Sequence, residues 1–169
     1  NIKNQLTVSL SYYNDGAFIK NQINAFNQYN HMTKIQIIDD GSKEDPIENY
    51  LHLIPKGIGV FKILEDIKWN IPGVRNLGCM VASTPWILHL DTDHIIPLNS
   101  IKKIQSINFQ KQKRFYSFNR KIGNTTKFTA GTLLISVDDF WNCGGYDEDF
   151  AGVYGHNDPY LKKKLELNG

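Results

Sequence analysis

The stretch Asp91-Thr92-Asp93-His94 has the clearest chemical consequence in this sequence. Two carboxylates one residue apart repel each other unless a cation neutralises them. Mn²⁺ or Mg²⁺ suits such ligands and completes its shell with water and substrate phosphates, so the pattern points to a phosphate-bearing substrate. A solvated acidic turn is the plain alternative, because D-x-D also arises by chance. Asp39-Asp40-Gly41-Ser42 offers carboxylates that can accept from a base N–H or a ribose hydroxyl, or that can simply cap a turn. Arg75, beside Asn76 at the start of a predicted helix, adds its charge to that of the helix N-terminus, a good setting for a diphosphate. The competing reading is a surface arginine paired with a nearby acid. Towards the end, Gly144-Gly145-Tyr146-Asp147-Glu148-Asp149-Phe150 precedes Gly155-His156-Asn157-Asp158-Pro159-Tyr160. Paired glycines permit close approach of backbone to a ligand. Asp158 reads either as the N-cap of a helix with Pro159 at its first position, or as a general base.

Hydrophobic patterning shows which elements must hold these groups. Leu6 to Ser11 alternates with period two and ends at Asn14-Asp15-Gly16, and Phe18, Ile19, Ile23 and Phe26 predict a helix over 17–28. Ile35 to Ile38 is a second strand, followed by a short helix from Pro46 to about Leu53. Val60 to Leu64 forms a third strand, and a helix entered through Pro72-Gly73 carries Val74, Leu77, Gly78 and Val81. Trp86 to Leu90 forms a fourth strand that runs into Asp91, and a helix after Pro97 presents Ile101, Ile104 and Ile107. Strands near 114–118 and 128–135 and a helix from Pro159 to Leu167, stopped by Asn168-Gly169, complete the reading. Repeated β-α alternation predicts one α/β domain over residues 1–169: a Rossmann-like three-layer α/β/α sandwich with a mostly parallel central sheet. Ligands of such sheets bind at the carboxyl ends of the strands, where Tyr13-Asn14, Asp39-Asp40 and Asp91-Thr92-Asp93 all fall.

Composition excludes other classes. With 19 basic against 17 acidic residues the formal charge is +2, too small and too scattered for nucleic acid. Lys162-Lys163-Lys164 reads as the solvated face of the terminal helix. Two cysteines, Cys79 and Cys143, make no disulfide framework. No apolar run approaches the roughly 20 residues of a membrane span, and the N-terminus lacks a signal segment, so the expectation is a cytoplasmic chain, at most peripheral to a membrane.

Five segments, in order, resemble the family 2 and galactosyltransferase-like glycosyltransferases of the GT-A fold. They are Leu10-Ser11-Tyr12-Tyr13-Asn14, Ile37-Ile38-Asp39-Asp40-Gly41-Ser42, Pro72 to Gly78, Ile87 to Asp93, and Cys143 to Leu161. The resemblance implies a UDP-sugar donor, a glycan or other hydroxyl acceptor, and Mn²⁺ or Mg²⁺ as cofactor. It implies that Ser11 and Tyr13 line the nucleoside pocket and that Asp40 hydrogen-bonds the uracil, with Asp39 near it. It implies that Arg75 meets the uracil or the diphosphate, and that Thr92 and Asp147 belong to the donor site. Asp91 and Asp93 match the family D-x-D, with Asp93 the direct metal ligand and Asp91 nearer the ribose. Asp158 matches the base of an inverting displacement.

Two departures stand out. Asn157 occupies the place of the usual Glu, and the chain stops soon after Asp158, where related enzymes carry a further metal-ligating His. His156 and His94 could supply a nitrogen ligand but read better as crevice-wall residues. A nucleotidyltransferase of the same fold is disfavoured, since Ser11-Tyr12-Tyr13-Asn14-Asp15 is no glycine-rich basic loop. A GT-A domain that binds nucleotide or carbohydrate with little or no turnover remains the alternative.

Overall fold

The computed structural model describes residues 4–107 and 115–167. Its elements are β1 (Leu6–Tyr12), α1 (Gly16–Tyr29), β2 (Lys34–Asp39), β3 (Gly59–Lys62), α2 (Ile71–Val81), β4 (Trp86–Asp91), α3 (Leu98–Gln105), β5 (Phe115–Ile122), β6 (Thr125–Ser136), α4 (Val137–Asn142) and α5 (Asn157–Leu167). They form a six-stranded sheet in the order β3-β2-β1-β4-β6-β5. The first four strands are mutually parallel, and the β5–β6 hairpin continues the sheet antiparallel to β4. The sandwich expected from the sequence is therefore present, and its parallel part ends at β4.

Strand periodicity divides the molecule into two cores. Leu6, Val8, Leu10 and Tyr12 of β1, with Trp86, Leu88 and Leu90 of β4, pack against Ile19, Ile23 and Phe26 of α1 and Ile101 and Ile104 of α3. Each fully buried side chain of this size stabilises the fold by roughly 1.5–3 kcal/mol. The opposite face of β4 and β6, with Ile87, Leu133 and Ile135, packs against Cys79 of α2, Phe140 of α4, and Leu161 and Leu165 of α5. Because side chains alternate along a strand, Ile87, His89 and Asp91 share this second face. The terminal carboxylate of β4 thus leaves the core on the side covered by α2 and α5.

Four local expectations are revised. The short helix expected after Pro46 is a 3-10 helix, Ile47–Leu53; only Ile47 is buried, and so little packing does not hold a longer regular helix. Helix α4 was not anticipated. Ser136 marks its start, its side chain accepting from the Asp139 N–H at 3.0 Å. Helix α5 begins at Asn157, so Asp158 lies inside its first turn instead of capping it. Lys162 and Lys164 turn inward: Lys162 Nζ lies 4.3 Å from the Phe128 ring centroid, and Lys164 Nζ donates to the Gly145 carbonyl at 2.6 Å. Only Lys163 of that triplet is exposed. The expected stop at Asn168-Gly169 and residue 114 of the expected fifth strand lie outside the described residues. Both cysteines are free and buried, and burial pushes the Cys79 thiol up to about 12. No helix among the described residues is long and apolar enough to cross a membrane.

Candidate functional site

The β4 end is fixed from both sides. Gln22 of α1, wholly buried, donates through Nε2 to the carbonyls of Thr92 (2.8 Å) and His94 (2.7 Å), with a longer contact to that of Asp91 (3.4 Å). Thr92 is buried and its hydroxyl donates to the Ser11 carbonyl at 2.8 Å, tying the turn to β1, where Ser11 pairs with Asp91 in register. The turn thus holds Asp91, Asp93 and His94 at the carboxyl end of β4. One ligand atom from each of these three lies within 4.8 Å of the others. Two carboxylates and an imidazole fit a divalent cation such as Mn²⁺. His94, expected as a wall residue, joins the group.

The imidazole is oriented by its neighbours. Arg120 of β5 can only donate, and its Nη1 lies 2.6 Å from His94 Nε2, so that nitrogen accepts. The ring proton is then on Nδ1, 3.0 Å from the Thr132 hydroxyl and 3.8 Å from Asp91 Oδ2, so His94 can ligate a cation only through Nε2, once Arg120 moves off that nitrogen. Arg120 also approaches Asp93 Oδ2 at 3.5 Å.

Arg75 is the organising residue of the second face. It pairs with nearby acids but is fully buried and not on the surface, and its guanidinium joins acids from two elements. Nη2 donates to Asp91 Oδ1 at 2.6 Å and to the Gly131 carbonyl at 2.9 Å. Nη1 donates to the Tyr146 hydroxyl at 2.7 Å and to Asp158 Oδ1, and Tyr146 also donates to Asp158 Oδ1 at 2.7 Å. The two carboxylates hold the guanidinium charged despite its burial. Both bonds to Asp158 fall on Oδ1, so Oδ2 is left towards the cleft without a hydrogen-bond partner among the described residues. Gly131 is required here, since a Cβ on it would collide with the Asp91 carboxylate. The hairpin register slips just there: Ser117 pairs with Leu133 and Phe118 with Thr129, so residues 130–132 bulge towards Arg75.

Two clefts meet at Asp91 and Asp93. One, of about 570 Å³, is lined by Ser11, Tyr13, Asp40, Lys68, Thr92 and Val74, among others. Asp40 is buried there and accepts from Asn70 Nδ2 at 2.9 Å, while Asn70 Oδ1 caps α2 at the Gly73 N–H. Burial raises the Asp40 carboxyl to about 7, against the opposing pull of the Asn70 bond. Tyr13 is half-exposed and donates to Asp66 at 2.8 Å, an acceptor that raises its own hydroxyl. The other cleft, of about 470 Å³, is lined by Arg75, Arg120, Phe128, Tyr154, Asn157 and Asp158, among others. Trp69, Ile71, Asp91 and Asp93 border both.

The structure brings together Ser11, Tyr13, Asp40, Arg75, Asp91, Thr92, Asp93 and Asp158, as the sequence suggested. Asp39 and Asp147 border neither cleft. Asp39 is completely buried, its Oδ1 and Oδ2 accepting from the Ser42 N–H (2.8 Å) and the Ile47 N–H (3.0 Å), so it builds the loop. Asp147 accepts from the Asp149 N–H at 3.1 Å and caps the 3-10 turn Glu148–Phe150. His156 is exposed and also outside both clefts. Sequence reasoning missed Gln22, Asn70, Arg120, Gly131 and the role of Tyr146. Of these, only Tyr146 carried a signal, beside paired glycines that both have positive φ.

The chain matches the model of the family described as "Glycosyl transferase family 2" over residues 7–143. No curated protein matches it by sequence. Among solved structures it is similar to Staphylococcus aureus TarS 1-349 in complex with UDP-GlcNAc (TM-score 0.78, 14% identity, covering 97% of this chain and 54% of that one). It is also similar to the mannosyltransferase PcManGT from Pyrobaculum calidifontis in complex with GDP-Man and Mn²⁺ (TM-score 0.75, 13% identity, 98% and 52%). The chain thus spans about half the length of these proteins. With the GT-A sandwich, an acidic turn at the end of β4 and a family match over most of its length, the chain belongs to glycosyl transferase family 2.

Proposed function

We propose that this chain is the donor-binding and catalytic part of a metal-dependent, inverting glycosyltransferase that moves a sugar from a UDP-sugar to a hydroxyl acceptor. The observation that carries this reading is the position of Asp91 and Asp93 on the ridge between two clefts, with His94 beside them and Asp158 joined to Asp91 through Arg75. The 570 Å³ cleft suits a nucleoside: Asp40 accepts from the base, and Tyr13 forms part of its wall. A divalent ion held by Asp91, Asp93 and His94 would neutralise charge building on the departing diphosphate.

Asp158 Oδ2 takes the proton of the acceptor hydroxyl as its oxygen bonds the anomeric carbon and the sugar–phosphate bond breaks. Arg75 and Tyr146 fix the other oxygen and so orient the carboxylate. The nucleotide-sugars bound by TarS and PcManGT support the substrate class. A domain that binds donor without turnover is the second reading, favoured by Asn157 standing where the family carries Glu. The test is sugar release from UDP-glucose, UDP-galactose and their N-acetyl forms with Mn²⁺ and a hydroxyl acceptor. Asp158→Asn should lower turnover by about a hundredfold or more. Full turnover by that variant would remove Asp158 as the base.

A further inference from the structure

Three large aromatic side chains stand exposed around the cleft that holds Asp158: Trp69 (46% exposed), Tyr154 (75%) and Phe128 (61%). Exposing apolar rings costs hydration free energy, and an exposed cluster lining a concave site marks a contact surface. Trp69 and Tyr154 come from separate loops and face each other, ring centroids 4.9 Å apart and planes tilted by 59°. Trp69 also has φ 56, a left-handed conformation that a bulky residue adopts at a cost of order 1–3 kcal/mol. Nothing in the two cores requires that conformation, because Trp69 belongs to neither. It aims the indole at the rim shared by the two clefts.

Building on the glycosyltransferase reading, we propose that Trp69 and Tyr154 form a stacking platform for the acceptor, and that the acceptor is therefore a cyclic sugar. The aromatic face carries negative charge density and attracts the weakly positive C–H groups on one face of a pyranose. The ring's hydroxyls project outward from that stack, and Asp158 Oδ2 and Asn157 line the same cleft to receive them. Asn157 is buried, and its Oδ1 has no hydrogen-bond partner among the described residues, so an unsatisfied acceptor stands in the wall of this cleft. A linear polyol carries the same hydroxyls without a continuous apolar face and lacks this grip. Trp69 borders both clefts, while Tyr154 and Asn157 line only this one, which turns the Tyr154 side of the platform to the acceptor and not to the nucleoside.

The test is ligand-observed NMR on the full chain with Mn²⁺ and UDP, using cellobiose, N,N′-diacetylchitobiose and sorbitol as probes at millimolar concentration. At least one disaccharide should bind and sorbitol should not; Tyr154→Ala should weaken the disaccharide by about fivefold and Tyr154→Phe by less than about twofold. UDP affinity, measured in the same samples, reports the other cleft and should be unchanged in both variants. UDP binding without binding of either disaccharide would overturn the platform and leave the donor reading standing. Equal binding of sorbitol, or loss of UDP affinity in Tyr154→Ala with disaccharide affinity retained, would also overturn it. Absence of UDP binding by the unaltered chain would remove the donor reading, and the platform with it.

Discussion

Arg75 shows how one residue type decides a site. A lysine would reach one carboxylate; the guanidinium fork reaches Asp91 and Gly131 with one nitrogen and Tyr146 and Asp158 with the other. Without it, the Asp91 and Asp158 carboxylates would lose the buried cation that both contact. Arg75→Met should lower unfolding stability in a denaturant titration by about 3 kcal/mol, at the low end for a broken buried pair because both carboxylates reach the cleft. A loss below about 1 kcal/mol would mean that solvent already neutralises the pair.

At the scale of elements, what positions the acidic turn is α1, which carries no residue of the donor chemistry. Gln22 satisfies the turn's carbonyls from below. Gln22→Leu should cost about 1–3 kcal/mol of stability and weaken Mn²⁺ binding by about tenfold, measured by calorimetry. Unaltered Mn²⁺ affinity in that variant would separate the turn's rigidity from its function. This layer was hardly legible in the sequence. The strands and helices were, because period-two and period-3.6 patterns record which face is buried, and the ends of β1, β2 and β4 then follow from the fold class. Gln22 sits in a helix as one polar residue among several, with no local sign that it is buried. Arg120 and Gly131 come from the β5–β6 hairpin, whose register slip depends on tertiary contact. Asp39 and Asp40 look alike in sequence; only the loop that wraps Asp39 tells them apart.

For the whole molecule, the second core contains a buried histidine behind the site whose charge state affects stability. His89 is entirely buried between Phe140 and Tyr146, and neither ring nitrogen has a hydrogen-bond partner among the described residues. Burial, reinforced by Arg75, pushes its pKa well below the ordinary value. The unfolded chain therefore binds a proton that the folded chain refuses, and His89 costs stability as pH falls below about 6.5, by up to roughly 1.4 kcal/mol per pH unit. Asp40 acts in the opposite sense, since its raised pKa lets the folded state take up a proton below about 7. His89→Leu isolates the first effect: it should flatten the loss of stability between pH 6.5 and 5 in thermal or denaturant unfolding, and a slope equal to that of the unaltered chain would contradict it. The account as a whole rests on the ridge at Asp91, Asp93 and His94 serving one metal-bridged nucleotide. Calorimetric titration of UDP with and without Mn²⁺ addresses it most directly. The account predicts UDP binding that is at least about tenfold tighter with Mn²⁺ and that loses this enhancement in Asp93→Asn. UDP affinity indifferent to Mn²⁺ would contradict it.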